Sequence, residues 1–202
     1  TLSSLASLIA GADLTTLVSH YRAADIAAHN LDLITIPLNT KLHTRNIQIV
    51  LNEAKNHDIV LIGPGLARGK GSHEAIRKLI KEINKPLVLD AESLHALKNN
   101  FELLKSKSVI LTPHKGEFES MTEEKITDLE SRKELTKKWA KKLKCIIILK
   151  GEIDVISDGQ KIHLNKTGNE WMTKGGTGDI LAGLIAGFIY NKGPFEAATL
   201  AC

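Results

Sequence analysis

Aromatic residues are scarce in this 202-residue chain, at 4%, and cysteines number only two. The shortage of aromatics leaves Leu, Ile, Val and Ala to build the core. It also removes the stacking platforms that single-stranded nucleic-acid binders use. Two cysteines support no disulfide framework, so a reducing cytoplasm is the expected compartment. Cys145 opens the apolar run "CIIILK" and reads as a buried small hydrophobe. No apolar run approaches the roughly 18 residues that a membrane span needs. The stretch "TLSSLASLIAGADL" lacks the basic flank of a secretory signal and reads as part of the fold. Neither a membrane nor a nucleic acid is therefore an expected partner. A large excess of one charge is missing as well: the net charge is +4, with lysines and arginines dispersed. The densest basic block, "KKWAKKLK" from Lys137 to Lys144, falls on a helical pattern and reads as a solvated face.

What the chain does have is length enough for one large domain, residues 1–202, and a hydrophobic fraction of 43%. Short apolar runs alternate with amphipathic segments. The runs at 14–19, 32–38, 58–63, 86–91, 108–113 and 145–151 read as strands, and several are apolar on consecutive positions. That pattern suits parallel strands covered on both faces. Between them, "SHEAIRKLIKEI" sets Ala75, Ile76, Leu79, Ile80 and Ile83 on one helical face, with Ser72 as a plausible N-cap. "LESRKELTKKWAKKL" aligns Leu129, Leu135, Trp139 and Leu143 in the same way. Near the end, "DVISDGQKIHLN" reads as two strands around an Asp158-Gly159 turn. The expectation is an α/β fold: an open, mostly parallel sheet with helices on both faces and an antiparallel edge hairpin.

Ligands of such sheets bind at the carboxyl ends of the strands, so the residues after each run carry the functional information. After "DIVLI" comes "GPGLARGKG", either a turn or a backbone cradle. After "PLVL" comes Asp90, which could cap the following helix or face a site. After "SVIL" comes "TPHKGEFE", where His114 and Glu117 stand three apart; Glu117 also suits a helix N-terminus. After "CIIIL" comes Lys150, which can snorkel to solvent or contact phosphate. Last, "KGGTGD" feeds a long apolar helical pattern and exposes backbone donors at a helix start, an anion site. It matches neither the P-loop nor the dinucleotide fingerprint. Asp179 in its first turn would repel an anion, which makes sense if it takes a proton from an attacking hydroxyl. A carboxylate that merely complements the helix dipole is the other account.

Taken in order, "GPGL", "LDAESL", "TPHKGE", "LKG" and "GGTGDILAG" resemble the ribokinase-like superfamily, and within it the ADP- or ATP-dependent NAD(P)H-hydrate dehydratases. The resemblance implies a ribokinase-like three-layer fold and a repair activity on (S)-NADHX and (S)-NADPHX, the hydrates of NADH and NADPH. A nucleotide phosphorylates the ring hydroxyl, and elimination of phosphate restores the reduced cofactor. It implies Asp179 as the carboxylate that activates the hydroxyl. Gly65 and His114, with Asp179, would bind the hydrated cofactor. Lys150, Gly151, Glu152, Ile153 and Asp154, with Gly176, Thr177 and Gly178, would bind ADP or ATP. Glu117 would help organise Mg2+ through water. Homotetramers and a fused or separate NAD(P)HX epimerase are further implications, and the chain reads as a segment of a longer protein.

Asp154 stands where that family usually has Thr, and Lys174 where a small residue or Thr precedes the glycines. Ala67 and Glu92 replace a common Gly and a common Asp. Two other readings compete. A small-alcohol kinase of the same superfamily, acting on a vitamin precursor such as hydroxymethylpyrimidine or a thiazole alcohol, would use the same Asp but release a stable ester. A non-catalytic nucleotide-binding module would have no need of a carboxylate beside the phosphate.

Overall fold

A computed structural model describes residues 1–202, apart from the side chain of residue 170. Helix α1 (Leu2–Ile9), strand β1 (Thr15–His20), α2 (Tyr21–Ala27), β2 (Leu33–Leu38) and α3 (Ile47–Ala54) come first. The alternation continues through β3 (Val60–Ile62), α4 (Lys70–Glu82), β4 (Leu87–Leu89), α5 (Glu92–Leu97) and β5 (Val109–Leu111). Helices α6 (Lys115–Thr122) and α7 (Leu129–Leu143) lead to β6 (Ile146–Leu149) and the hairpin β7 (Asp154–Ser157) and β8 (Ile162–Asn165). Helices α8 (Thr177–Lys192) and α9 (Pro194–Ala201) follow.

The main sheet has the order β3-β4-β5-β6-β7-β8. Strands β3 to β6 pair in parallel, and β6-β7 and β7-β8 are antiparallel. The hairpin turn forms where Asp158-Gly159 places it: Asp158 Oδ1 accepts from the N–H groups of Gln160 and Lys161 at 2.9 Å, and Gly159 takes φ +88°. Side-chain alternation explains why the central runs are apolar at every position. Leu87, Leu89, Val109, Leu111, Ile147 and Leu149 point to one face, where α4, α5, α6 and α7 cover them. Val88, Ile110, Ile146 and Ile148 point to the other, against α8 and α9. Each face needs a hydrophobic residue, so the run is continuous.

The one-sheet expectation is corrected in one respect. β1 and β2 pair only with each other, as a separate two-stranded parallel sheet. Every residue of β1 is half-buried, and only Leu17 and Val18 of "TTLVSH" are apolar, where the central strands are apolar and buried throughout. The Ser72 cap is also corrected: α4 already begins at Lys70 with Gly69 as N-cap, and Ser72 Oγ donates instead to Leu42 O at 3.3 Å. Cys145 is buried as expected, and burial pushes its thiol up to about 12. The basic block is a solvated face, in which Lys138 pairs with Glu124 and Lys142 lies 3.9 Å over the Trp139 ring. No helix among the described residues is long and apolar enough to cross a membrane.

Helix α8 is fixed by a close helix crossing. A Cβ on Gly183 would fall 2.1 Å from Ser3 O, and one on Gly187 2.5 Å from Ser7 O. These glycines let α1 lie directly on α8 and so hold the helix whose first turn carries Asp179.

Candidate active site

The strands β3 to β6 end on one rim, and their following residues interlock. Asp90 N donates to Ile62 O at 3.1 Å and Thr112 N to Leu89 O at 3.2 Å, which extends the parallel ladder past the strand ends. Lys150 N donates to Pro113 O at 2.9 Å, and His114 and Lys150 form a parallel bridge. The chain after β4 turns sharply: Ala91 has φ +48°, and Ser93 Oγ donates to Ile62 O at 2.9 Å and Asp90 O at 2.8 Å. Gly63, with φ +133°, faces the Asp90 carbonyl so closely that a Cβ would lie 1.7 Å from its oxygen.

Asp90 is 2% exposed, a burial that a carboxylate tolerates only with partners. Its Oδ1 accepts from Thr112 Oγ1 at 2.7 Å and Lys150 Nζ at 2.8 Å. It does not cap α5, one of the two roles that the sequence left open. Lys150 is thereby turned inward rather than snorkelling to solvent; its Nζ lies 3.3 Å from where a Cβ on Gly178 would stand, and Asp90 Oδ2 lies 4.0 Å from that point. Gly178 thus joins the glycine-rich loop to the strand-end pair.

At the loop itself Gly176 is the N-cap of α8, with φ +96°, a left-handed conformation that suits glycine. Thr177 Oγ1 donates to Met172 O at 3.0 Å and Lys174 O at 2.7 Å, which closes the loop over the helix start. Thr177 N donates to Lys174 O at 3.4 Å, while the first-turn N–H groups of Gly178 and Asp179 precede the helical ladder and remain donors for an anion. Burial, followed by the Asp90 charge, pushes the Asp179 carboxyl above its ordinary value, while Lys150 opposes the shift. A carboxylate held partly desolvated near a half-buried ammonium has the environment expected of a proton acceptor.

His114 and Glu117 form a capping box at the start of α6. Glu117 Oε2 accepts from His114 N at 2.8 Å, and Glu117 N donates to His114 Nδ1 at 3.2 Å. Glu117 is buried while the His114 ring is exposed, so only the ring is presented to a ligand. Gly65, φ +70°, lies in the loop after β3 with nothing within 4 Å of its Cβ position, an open approach. In the turn after β6, Asp154 Oδ1 accepts from Gly151 N at 2.9 Å and Oδ2 from Asn165 Nδ2 at 3.1 Å. Its carboxylate therefore closes its own turn. Glu152 and Ile153 border a cavity of about 260 Å³ shared with Lys115, Asp128 and Arg132.

Three partners were not legible in the sequence. Asp90 and Lys150 meet across sixty residues of chain. Arg132, from α7, donates through Nη2 to Leu149 O, Lys150 O and Ile153 O at 3.0, 3.1 and 3.3 Å, and so shapes the 150–153 turn. No local motif announces it. His73 pairs with Glu92 at 2.5 Å across 19 residues, a separation that carries no local signal.

A family model described as NAD(P)H-hydrate dehydratase matches residues 1–202. The "Bifunctional NAD(P)H-hydrate repair enzyme Nnr" of Pyrobaculum aerophilum is 38% identical over 203 residues, 98% of this chain and 40% of the relative. That of Archaeoglobus fulgidus is 36% identical, over 99% of this chain and 40% of the relative. The chain thus spans about 40% of the length of these curated relatives. Among solved structures, the ADP/ATP-dependent NAD(P)H-hydrate dehydratase of Bacillus subtilis, co-crystallised with ATP/Mg2+ and soaked with CoA, has a TM-score of 0.80 at 27% identity. The match covers 99% of this chain and 72% of that one.

Proposed function

The chain belongs to the NAD(P)H-hydrate dehydratase family, and from that premise we propose that it returns the (S)-hydrates of NADH and NADPH to the reduced cofactors, with ADP or ATP as phosphoryl donor. The observation that carries the reading is the Asp179 carboxyl, pushed up by burial, in the first turn of α8 with the Asp90–Lys150 pair beside it. A helix start that only bound phosphate would gain nothing from that carboxylate.

Asp179 takes the proton of the ring hydroxyl as its oxygen attacks the terminal phosphorus, and the bond from that phosphorus to the leaving nucleotide oxygen breaks. The N–H groups of Gly178 and Asp179, with the ammonium of Lys150, hold the charge on the transferring group. The phosphate then leaves carbon six with its bonding pair, and the adjacent ring carbon loses a proton, which regenerates the double bond. Gly65 and the exposed His114 ring face the hydrated cofactor, and Lys150 to Asp154 with Gly176 to Gly178 hold the nucleotide. Mg2+ would neutralise charge on the nucleotide phosphates. Glu117 fits only an indirect part in holding it, through water, because its carboxylate already serves the α6 cap. The reading includes a homo-oligomer, a tetramer as the resemblance implies, supported by the exposed Ile9, Ile26 and Leu31. An epimerase as fused or separate partner is supported by the "bifunctional" name of the relatives.

The test against a small-alcohol kinase is the fate of the phosphate. Orthophosphate released in step with NADH is the expected outcome, and a phosphate ester that accumulates overturns the dehydratase reading.

The charge arrangement has a consequence for pH. Asp179 acts as base only when ionised, and its pKa is raised, so the acid limb of kcat/KM should lie above the ordinary carboxylate value of about 3.9. Removing the Asp90 charge removes a cause that raises this pKa, so Asp90→Asn should move the limb to lower pH. Lys150→Met removes a cause that lowers it and should move the limb to higher pH. Limbs that do not move, or move together, contradict this account of Asp179.

A further inference from the structure

Trp171 is 74% exposed, whereas Trp139 is 5% exposed and packs against Phe101 with ring centroids 5.4 Å apart. Leaving an indole in water is unfavourable, and packing within the chain does not account for its position. Its backbone, by contrast, is held firmly. Trp171 lies in a 3-10 turn, Glu170–Met172, in which its N–H donates to Asn169 Oδ1 at 3.0 Å and Met172 N donates to Asn169 O at 3.1 Å. Lys174 N closes on Met172 O at 2.8 Å, and Thr177 Oγ1 reaches the same Met172 carbonyl at 3.0 Å. The turn is therefore tied to the first residue of the anion-binding helix. On its other flank, a Cβ on Gly168 would lie 3.8 Å from both Glu152 O and Met172 Sδ. The turn that carries Trp171 thus bridges the 150–154 turn, through Gly168, and the start of α8, through Thr177.

We propose that Trp171 is the stacking platform for the adenine ring of the phosphoryl-donor nucleotide, an inference that rests on the nucleotide-dependent reading above. The two flanks of the turn are the segments assigned to the nucleotide, and a base is the part of it that needs a flat apolar partner. Every base offers a π-face, so a single indole supplies affinity without further hydrogen bonds.

The test compares wild type with Trp171→Ala and Trp171→Phe by calorimetric titration, using ADP with Mg2+ and, as a probe without a base, inorganic tripolyphosphate. Alanine should weaken ADP binding roughly 5- to 150-fold, the range for loss of one base stack, and phenylalanine should restore most of it. Tripolyphosphate affinity should stay the same in all three proteins. In wild type, ADP should shield Trp171 emission from acrylamide while the buried Trp139 emission, which also reports folding, stays unchanged. Unchanged ADP affinity in Trp171→Ala overturns the proposal. So does an equal loss of ADP and tripolyphosphate, which marks the turn's shape and not the stack, or shielding by the hydrated dinucleotide with none by ADP. A wild type that binds tripolyphosphate but gains nothing from adenine fails the stack alone; one that binds no nucleotide fails the functional reading itself.

Discussion

Asp179→Asn is expected to lower turnover of the hydrated cofactor by about 10²- to 10⁴-fold, the contribution of a positioned proton acceptor. The amide has nearly the same size and keeps the α8 start intact, because Gly176 and Thr177 form the loop without help from the Asp179 side chain. It cannot take a proton from the attacking hydroxyl. It also removes the negative charge beside the phosphoryl site, so nucleotide affinity should hold or improve slightly. The check is kcat together with the calorimetric Kd for ADP. A variant that retains turnover within about threefold, far inside that range, removes Asp179 from its role as base. Equal losses in kcat and nucleotide affinity would instead mark it as structural.

Gly63→Ala is expected to cause the largest loss of stability of any single methyl added to the site rim. The new Cβ would lie 1.7 Å from Asp90 O, 2.7 Å from Asp90 C and 2.9 Å from Ser93 Oγ, all part of a turn locked by Ser93. The residue must also hold φ +133°, which L side chains rarely adopt. Strain at such a φ costs about 1–3 kcal/mol, and overpacking about 1–3 kcal/mol more. A combined loss of about 3 kcal/mol or more corresponds to a Tm lower by roughly 6–12 °C for a chain of this size. Gly11→Ala separates the two causes, since Gly11 has φ +101° and nothing within 4 Å of its Cβ position. The same collision displaces Asp90, so residual folded protein should also lose the Lys150 contact and activity. A Gly63→Ala melting curve that matches Gly11→Ala contradicts the close approach.

Much of this arrangement is written locally and could be read from the sequence. The central strands show as continuous apolar runs because both their faces are covered, and Asp158-Gly159 shows as a turn because its chemistry is self-contained. The strand-end segments show because parallel strands deliver them to one rim. What escaped reading depends on partners far along the chain. The separate pairing of β1 and β2 follows from which faces remain uncovered after the whole domain packs. Ser72 looked like a cap but turned to the Leu42 carbonyl, a choice made by tertiary contact. Asp90 was ambiguous until Lys150 arrived beside it, and Arg132 gave no sign that it would gather the carbonyls of a distant turn. Asp154, a departure from the family pattern, is explained by the turn it closes on Gly151.

The most direct test of the central claim is the near-ultraviolet absorbance of the nicotinamide ring when hydrated NADH is mixed with the folded, full-length protein, Mg2+ and either ADP or ATP. The expected result is recovery of the NADH band with at least one nucleotide, dependent on that nucleotide and lost in Asp179→Asn. No recovery with either nucleotide, from protein shown to be folded, contradicts it.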